Sequence, residues 1–218
     1  MKPDELAGTI DHTLLKANAT GPQIEKLCAE AKKYGFASVC VNSSWVRVCR
    51  ELLAGTGSKV CAVIGFPLGS ASTRAKAAEA MAAVDDGADE LDMVINVGRL
   101  LDGDHGYVHE DIAAVVSAAK GRIVKVIIES CYLTNEQIVK ACQISKEAGA
   151  GFVKTSTGFG TGGATTEAVR LMRMTVGPEM GVKASGGIKS RKDALAMIEA
   201  GANRIGTSSG IAILEGDV

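Results

Sequence analysis

A repeated helix–glycine–strand unit constrains this chain more than any other feature. The unit appears as KKYGFASV at residues 32–39, VDDGADEL at 84–91, KEAGAGFV at 146–153 and IEAGANRI at 198–205. A glycine just past a helix end takes the left-handed conformation that closes the last turn without a Cβ penalty. Each unit is therefore a short loop from a helix into a strand. Its repetition predicts helices and strands that alternate along the chain.

The same pattern gives the number of strands. Eight are predicted, at residues 9–13, 37–41, 59–64, 90–95, 123–129, 152–156, 182–185 and 204–208. Their spacing of about 22–34 residues is the size of one β/α unit. Amphipathic helical stretches lie between them, at residues 23–33, 73–84, 135–147 and 191–200. We expect one (β/α)8 TIM-barrel domain over residues 1–218, with a doubly wound open sheet as the alternative.

Composition excludes several classes of partner. The net charge is −1 and aromatic residues make up 4% of the chain, which argues against binding to nucleic acid or an anionic membrane. The six cysteines form no CxxC pair and the three histidines have no metal-ligand spacing, so we expect reduced thiols and no metal site. The first residues form no apolar leader, and no uncharged apolar run is long enough to span a bilayer. A cytoplasmic protein is expected.

Charged residues interrupt strands that should otherwise be apolar. In residues 90–95, Leu91, Met93 and Ile95 alternate with Glu90 and Asp92. Because helices cover the outside of a parallel barrel, the apolar set should face out and the polar set in. The predicted inward side chains are Asp11, Cys40, Asp92, Lys125, Glu129, Lys154, Ser156 and Lys183. They should meet near the C-terminal ends of the strands, where barrel enzymes carry their active sites.

Two of these inward residues, Lys154 and Lys183, are candidates for amine chemistry. A neighbouring cation lowers the pKa of an amine and leaves part of it neutral and nucleophilic. One lysine would then form a Schiff base while the other, with a carboxylate, moves protons. The pattern does not say which lysine has which role. The alternative is a structural pair of lysines, neutralised by Asp92, Glu129 and Asp11.

Glycine-rich loops follow the last three predicted strands. GFGTGG at residues 158–163 matches GxGxxG, but the strand before it carries Lys154, so a loop closing over a substrate is favoured over a dinucleotide site. SGGI at 185–188 and GTSSG at 206–210 lie where many barrels bind phosphate, beside a short extra helix expected at 211–215. The substrate-binding candidates are Asp11, Cys40, Thr157, Gly158, Gly186, Gly187, Gly206, Ser208 and Ser209.

Several strings together resemble the deoxyribose-phosphate aldolases, a class I family of (β/α)8 barrels. They are IDHTLL at residues 10–15, VCVN at 39–42, IGFPLG at 64–69, ELDMVIN at 90–96, FVKTSTG at 152–158, VKASGGI at 182–188 and GTSS at 206–209. These strings run nearly end to end along the chain. The resemblance implies reversible cleavage of 2-deoxy-D-ribose 5-phosphate to D-glyceraldehyde 3-phosphate and acetaldehyde.

The resemblance also implies roles and an assembly. It implies that Lys154 is the Schiff-base lysine, that Asp92 and Lys183 relay protons, that no cofactor or metal is needed, and that the protein is a homodimer. The chain departs from some members at Phe159, where they carry a lysine. It also ends at Val218, without the longer tail that ends in tyrosine in some members. Two other functions stay open: a barrel isomerase or lyase acting on a phosphorylated metabolite with Asp92 and Asp11 as acid and base, and a non-catalytic protein that binds one.

Overall fold

Eight parallel strands close into a barrel in the computed structural model, which describes residues 1–216. They are β1 (Ile10–Leu14), β2 (Ser38–Val41), β3 (Lys59–Ile64), β4 (Glu90–Val94), β5 (Ile123–Ile127), β6 (Phe152–Lys154), β7 (Gly181–Ser185) and β8 (Arg204–Thr207). Each strand pairs with the next one along the chain, and β8 pairs with β1. This closure confirms the predicted (β/α)8 barrel and excludes the open doubly wound sheet.

Helices connect the strands and surround the barrel. They are α1 (Pro3–Ala7), α2 (Gly21–Tyr34), α3 (Val46–Leu52), α4 (Thr73–Asp85), α5 (Val97–Leu101), α6 (His105–Ala118), α7 (Asn135–Glu147), α8 (Thr166–Val176), α9 (Arg191–Glu199) and α10 (Gly210–Glu215). Short 3₁₀ helices lie at Ser43–Trp45 and Ser130–Tyr132. Within residues 1–216 no helix has the length and apolar character needed to cross a bilayer.

The repeat glycines have the backbone that the sequence required of them. Gly35, Gly87, Gly149 and Gly201 all have positive φ, between 67° and 113°. A side chain would be strained at such angles, which explains why glycine recurs where a helix turns into the next strand.

The two faces of the barrel wall differ in the way the alternation predicted. Leu91, Met93 and Ile95 are buried in the large apolar layer between strands and helices. A much smaller apolar cluster, which includes Cys40 and Cys61, fills part of the interior. The rest of the interior is polar, so the barrel encloses charges instead of a continuous apolar core.

The C-terminal ends of two strands were predicted too long. Strand β5 ends at Ile127, not at residue 129, and β6 ends at Lys154, not at residue 156. Glu129 has φ 52° and ψ 62°, a left-handed conformation that ends the strand. Its side chain was predicted to face into the barrel, and the structural alternative for the two lysines made it one of their counter-charges. That prediction is wrong, since Glu129 lies beyond the strand and binds Thr157.

Candidate active site

Three lysine side chains converge on one carboxylate inside the barrel. The Nζ atoms of Lys154 and Lys183 lie 2.8 and 2.6 Å from Asp92 Oδ2, and Lys125 Nζ lies 2.8 Å from Oδ1. Strands β4, β5, β6 and β7 contribute one side chain each, so the closed barrel joins residues up to 91 positions apart in sequence. All four side chains are at most 4% exposed.

A second group of charges lies nearer the N-terminal ends of the strands. Asp11 Oδ2 lies 2.5 Å from Lys183 Nζ, and Asp11 Oδ1 accepts a hydrogen bond from Arg204 Nε at 2.7 Å. Arg204 Nη2 donates to Glu90 Oε2 at 2.7 Å, and Lys125 Nζ lies 2.6 Å from the same oxygen. The buried cluster therefore holds four cations, Lys125, Lys154, Lys183 and Arg204, against three carboxylates, Asp11, Glu90 and Asp92.

The contacts decide which groups stay charged. Burial alone would raise the pKa of Asp92, but three ammonium groups, that of Lys125 foremost, outweigh burial and hold this pKa well below its ordinary range. Burial alone would lower the pKa of Lys183, but Asp11 and Asp92 outweigh it and hold that pKa above its ordinary value. The same balance, with Asp92 as the main counter-charge, raises the pKa of Lys125. The contacts therefore favour the charged forms of Lys183 and Lys125.

A cavity of about 280 Å³ opens at the C-terminal end of the barrel. Among the charged side chains of the cluster, all of which belong to the described part of the chain, Lys154 alone lines this cavity. The lining consists of Thr13, Leu14, Leu15, Lys16, Lys154, Thr157, Gly158, Phe159, Ser185, Gly186, Gly187, Ile188, Lys189, Gly206, Thr207, Ser208 and Ser209. An amine thus lies at the base of a pocket whose walls are the glycine-rich loops.

The loops present backbone donors that have no acceptor in the part of the chain that the structure describes. Within residues 1–216, the N–H groups of Gly158, Gly186, Gly187 and Ser208 donate no hydrogen bond. Ser209 N, by contrast, donates to Thr207 Oγ1 at 2.9 Å. Free N–H groups on residues that line one cavity can form a site for an anion.

The predicted site residues divide into two groups by position. Thr157, Gly158, Gly186, Gly187, Gly206, Ser208 and Ser209 all line the cavity. Asp11 and Cys40 are fully buried beneath it, so neither forms part of its wall. Asp11 instead holds Lys183 and Arg204, and Cys40 packs in the small interior cluster.

Sequence reasoning missed three charged residues, Arg204, Lys16 and Lys189, and gave no role to a fourth, Glu90. Glu90 and Arg204 complete the buried cluster; Glu90 shares the alternation of Asp92, so a signal for it existed. Lys16 and Lys189 line the cavity, are exposed, and have no carboxylate within 4.0 Å among residues 1–216. A loop lysine looks like any surface lysine in a sequence, so no pattern could have identified these two.

The glycine-rich run after β6 packs against the loop after β7. Ala164 N donates to Ser185 O at 3.1 Å and to Gly186 O at 3.0 Å. A Cβ atom on Gly163 would lie 2.2 Å from Gly186 O, so only glycine permits this approach. Helix α8 begins three residues beyond the run, at Thr166. A dinucleotide site would need a helix that opens directly from the glycines, and that alternative is therefore rejected.

One group of side chains has the donor atoms of a metal site. The ligand atoms of Cys40, Cys61 and Asp92 lie within 4.8 Å of one another. However, lysine ammonium groups contact both oxygens of Asp92. A divalent cation would have to displace them against their charge, so these residues do not fit a metal ion.

The position of Lys154 defines the class of protein. A lysine amine at the base of a cavity can condense with a carbonyl compound that enters from solvent, and this is the chemistry of a barrel enzyme that works through lysine. Comparison with known proteins gives the family. The model of the DeoC/LacD family aldolases matches residues 6–216, and the chain belongs to that family.

Relatives agree over nearly the whole chain. A deoxyribose-phosphate aldolase from Geobacillus sp. (strain WCH70) is 62% identical over 214 residues, which cover 98% of this chain and 96% of the relative. One from Thermococcus gammatolerans is 62% identical over 216 residues, covering 97% and 96%. The structure of the deoxyribose phosphate aldolase from Aeropyrum pernix, described as tetrameric, has a TM-score of 0.92 at 39% identity and covers 98% of this chain and 91% of that one.

Proposed function

We propose that this chain is a class I aldolase that cleaves 2-deoxy-D-ribose 5-phosphate reversibly to D-glyceraldehyde 3-phosphate and acetaldehyde. Membership of the aldolase family and relatives of that name at 62% identity support the substrate. The observation that carries the mechanism is the position of Lys154, whose amine alone among the buried lysines meets the cavity. The barrel isomerase and the non-catalytic binding protein need no amine there.

Lys154 is the lysine that we assign to the Schiff base. Four cations face three carboxylates in the cluster, so the cations outnumber their counter-charges by one. Lys183 contacts two carboxylates. Among the described residues 1–216, Lys154 contacts only that of Asp92, through an oxygen that it shares with Lys183. In its neutral form the Lys154 nitrogen attacks the C1 aldehyde of the open-chain sugar to form a carbinolamine. The carbinolamine hydroxyl takes up one proton from solvent and leaves as water, which gives a protonated imine.

Asp92 and Lys183 are assigned to proton transfer. When the C2–C3 bond breaks, its electron pair flows into the imine to form an enamine, and the C3 hydroxyl loses its proton to Asp92, with Lys183 and a water helping. The low pKa of Asp92 makes it a weak base as long as three cations surround it. The bond cleavage removes the positive charge at Lys154, so Asp92 gains basicity in the step in which it takes the proton. Protonation of the enamine and hydrolysis then release acetaldehyde.

The loops after β6, β7 and β8 are assigned to the phosphate. The unpaired N–H groups of Gly158, Gly186, Gly187 and Ser208 support this assignment. Phe159 stands where some relatives carry a lysine, so backbone donors have to supply more of the phosphate binding in this chain. Lys16 and Lys189 line the same cavity, so their ammonium groups supply positive charge as well.

Borohydride trapping tests this function. Borohydride added with deoxyribose 5-phosphate or acetaldehyde should reduce an imine on Lys154, and the mass added should map to the peptide that contains this residue. The Lys154→Met variant should take up none, and its cleavage activity should be lost. An adduct on Lys183 would reverse the assignment of the two lysines. If the wild-type protein formed no adduct, the barrel isomerase and the non-catalytic binding protein would be the functions that remain.

We also propose that the protein acts in the cytoplasm, in the breakdown of deoxyribonucleotides, as a homodimer. All six cysteines are free thiols, which supports a reducing compartment. The proposal of a dimer rests on the family resemblance, and light scattering in solution would test it. A tetramer, which is how the Aeropyrum pernix protein is described, would be the contrary result.

A further inference from the structure

Glu129 occupies a strained position that the mechanism above does not use. It follows β5 with φ 52°, a left-handed conformation that is unfavourable for a residue with a side chain. The chain on either side pairs with the segment at and after β6: Ile128 N donates to Lys154 O at 3.0 Å, and Ser130 N donates to Thr155 O at 2.9 Å. These two bonds fix the backbone of Glu129 beside the strand that carries Lys154.

The carboxylate of Glu129 is buried without a cationic partner. Its residue is 3% exposed, and within residues 1–216 no lysine, arginine or histidine nitrogen lies within 4.0 Å of it. Its hydrogen bonds come from Thr157, whose backbone N donates to Oε1 at 3.0 Å and whose hydroxyl donates to Oε2. Burying a carboxylate is costly unless hydrogen bonds compensate, so this carboxylate holds Thr157 firmly in one position.

Thr157 passes this constraint to the wall of the cavity. Its hydroxyl also accepts a hydrogen bond from Phe159 N at 3.0 Å. The N–H groups of Thr157 and Phe159 are thereby used within the protein, while that of Gly158 between them is unpaired among the described residues. Gly158 lines the cavity and has φ 84°. The bonds to Glu129 thus select the loop conformation that leaves one N–H free at the cavity.

We propose that Glu129 is a positioning residue that makes the pocket selective for a phosphorylated substrate. It acts through Thr157, which sets the direction of the Gly158 N–H, and it does not touch the substrate. This inference rests on the proposed function, in which the loops after β6, β7 and β8 bind the phosphate.

The test compares substrates with and without the phosphate group. For Glu129→Ala we expect KM for deoxyribose 5-phosphate to rise about tenfold or more, because two hydrogen bonds to a charged group are lost. The kcat/KM for unphosphorylated 2-deoxyribose should change less than about threefold, because that substrate does not need the Gly158 donor. Glu129→Gln keeps one acceptor for Thr157 N and should give an intermediate KM. Glu147→Ala, at an exposed position at the end of α7, is the matched control and should match the wild type.

Variants of Thr157 separate positioning from general damage. Thr157→Val keeps the shape of the side chain but loses the hydroxyl and should raise KM for the phosphorylated substrate, whereas Thr157→Ser keeps the hydroxyl and should raise this KM less. An equal loss of kcat/KM on both substrates in Glu129→Ala would overturn the inference. So would an unchanged KM of Glu129→Ala for deoxyribose 5-phosphate.

Calorimetry with inorganic phosphate makes the test independent of the chemistry. Phosphate should bind the wild type and the Glu147→Ala control equally and should bind Glu129→Ala about tenfold more weakly. Equal phosphate affinity in wild type and Glu129→Ala would refute the role of Glu129. Failure of the proposed function would show separately, as a wild-type protein that gives no borohydride adduct on Lys154.

Discussion

Lys154 and Lys183 share a single carboxylate oxygen, Oδ2 of Asp92, at 2.8 and 2.6 Å. Two ammonium groups on one oxygen repel each other, and only the carboxylate between them makes the arrangement stable. Lys183 has a second carboxylate partner in Asp11, whereas Lys154 has none among residues 1–216. This asymmetry distinguishes the two lysines, which the sequence pattern alone could not do.

Asp92→Asn should lower turnover about 10²–10⁴-fold, the usual contribution of a general acid–base group. The amide keeps the size of the side chain but cannot take the proton from the C3 hydroxyl. Because the Lys154 amine remains, borohydride should still trap part of the imine. Steady-state rates and mass spectrometry of the trapped protein measure the two effects separately.

The control is Asp85→Asn, which changes an exposed carboxylate at the end of α4. It should leave both turnover and trapping unchanged. Near-normal turnover in Asp92→Asn would reduce Asp92 to a structural counter-charge for the lysines.

Exhaustive chelation should leave the cleavage activity unchanged. The protonated imine on Lys154 accepts the electrons from the broken bond, so the proposed reaction needs no Lewis acid. The cluster of Cys40, Cys61 and Asp92 is already occupied by lysine ammonium groups at the carboxylate. Activity lost to a chelator and restored by a divalent ion would contradict the class I mechanism.

How far the sequence predicts this site depends on whether a residue lies in a strand. Asp92, Lys125, Lys154 and Lys183 alternate with apolar residues in the strands that carry them, so their inward direction follows from the period of two. The barrel then brings them together because all eight strands close around one axis. Strand alternation, however, holds only as far as the strand does. Glu129 continues the alternation of β5 in the sequence, but its left-handed backbone turns the side chain towards Thr157.

The cavity wall was less predictable for a different reason. Glycine-rich loops signal close backbone approach, and the loops after β7 and β8 do line the cavity. The exposed Lys16 and Lys189 carry no such signal, since their neighbours in sequence say nothing of where their side chains point. Only the assembled barrel puts them at the same pocket.

Ser208→Asp should weaken the use of deoxyribose 5-phosphate strongly, by about tenfold or more in kcat/KM, because it adds a negative charge beside the phosphate site. Its effect on unphosphorylated 2-deoxyribose should be small. Ser117→Asp, exposed near the end of α6, is a matched control and should change neither substrate. An equal loss on both substrates in Ser208→Asp would indicate damage to the barrel and a phosphate site elsewhere.

The free energy of unfolding should fall below about pH 4. Between about pH 5 and pH 9 it should not change through titration of the buried groups Asp11, Asp92 and Lys183. Although burial opposes it, Lys183 and other cations lower the pKa of Asp11, and the cations around Asp92 do the same there. Below pH 4 the unfolded chain binds protons at these carboxylates while the folded protein does not, so acid favours unfolding. The raised pKa of Lys183 makes stability depend on pH in the opposite direction. The contribution of Lys183 to the free energy of unfolding is complete below about pH 10 and is lost only as the pH rises further.

The measurement for this pH dependence is the free energy of unfolding by urea between pH 5 and pH 2.5. In that range Asp11→Asn should reduce the slope by up to about 1.4 kcal/mol per pH unit, the value for one proton. Asp85→Asn, whose carboxylate is exposed, should leave the slope as it is. An unchanged slope in Asp11→Asn would mean that Asp11 does not drive acid unfolding.

The buried ion pair between α4 and α6 gives the sharpest prediction for stability. Lys76 Nζ lies 2.5 Å from Asp111 Oδ2 and donates to Val94 O at 2.9 Å, and both charged side chains are fully buried. Asp111→Ala would leave the ammonium without a counter-charge and should destabilise the protein by about 3–5 kcal/mol. Asp85→Ala breaks the exposed pair with Lys120 and should cost at most about 1 kcal/mol.

A double variant tests whether the unpaired charge causes that loss. Lys76→Met combined with Asp111→Leu replaces both charges by apolar groups and should be more stable than Asp111→Ala alone, since no ion is left buried. Because the pair lies outside the barrel interior, kcat of the folded double variant should match the wild type. Urea unfolding gives the stabilities. If Asp111→Ala proved no more costly than Asp85→Ala, the Lys76–Asp111 pair would have no role in holding α4 against α6.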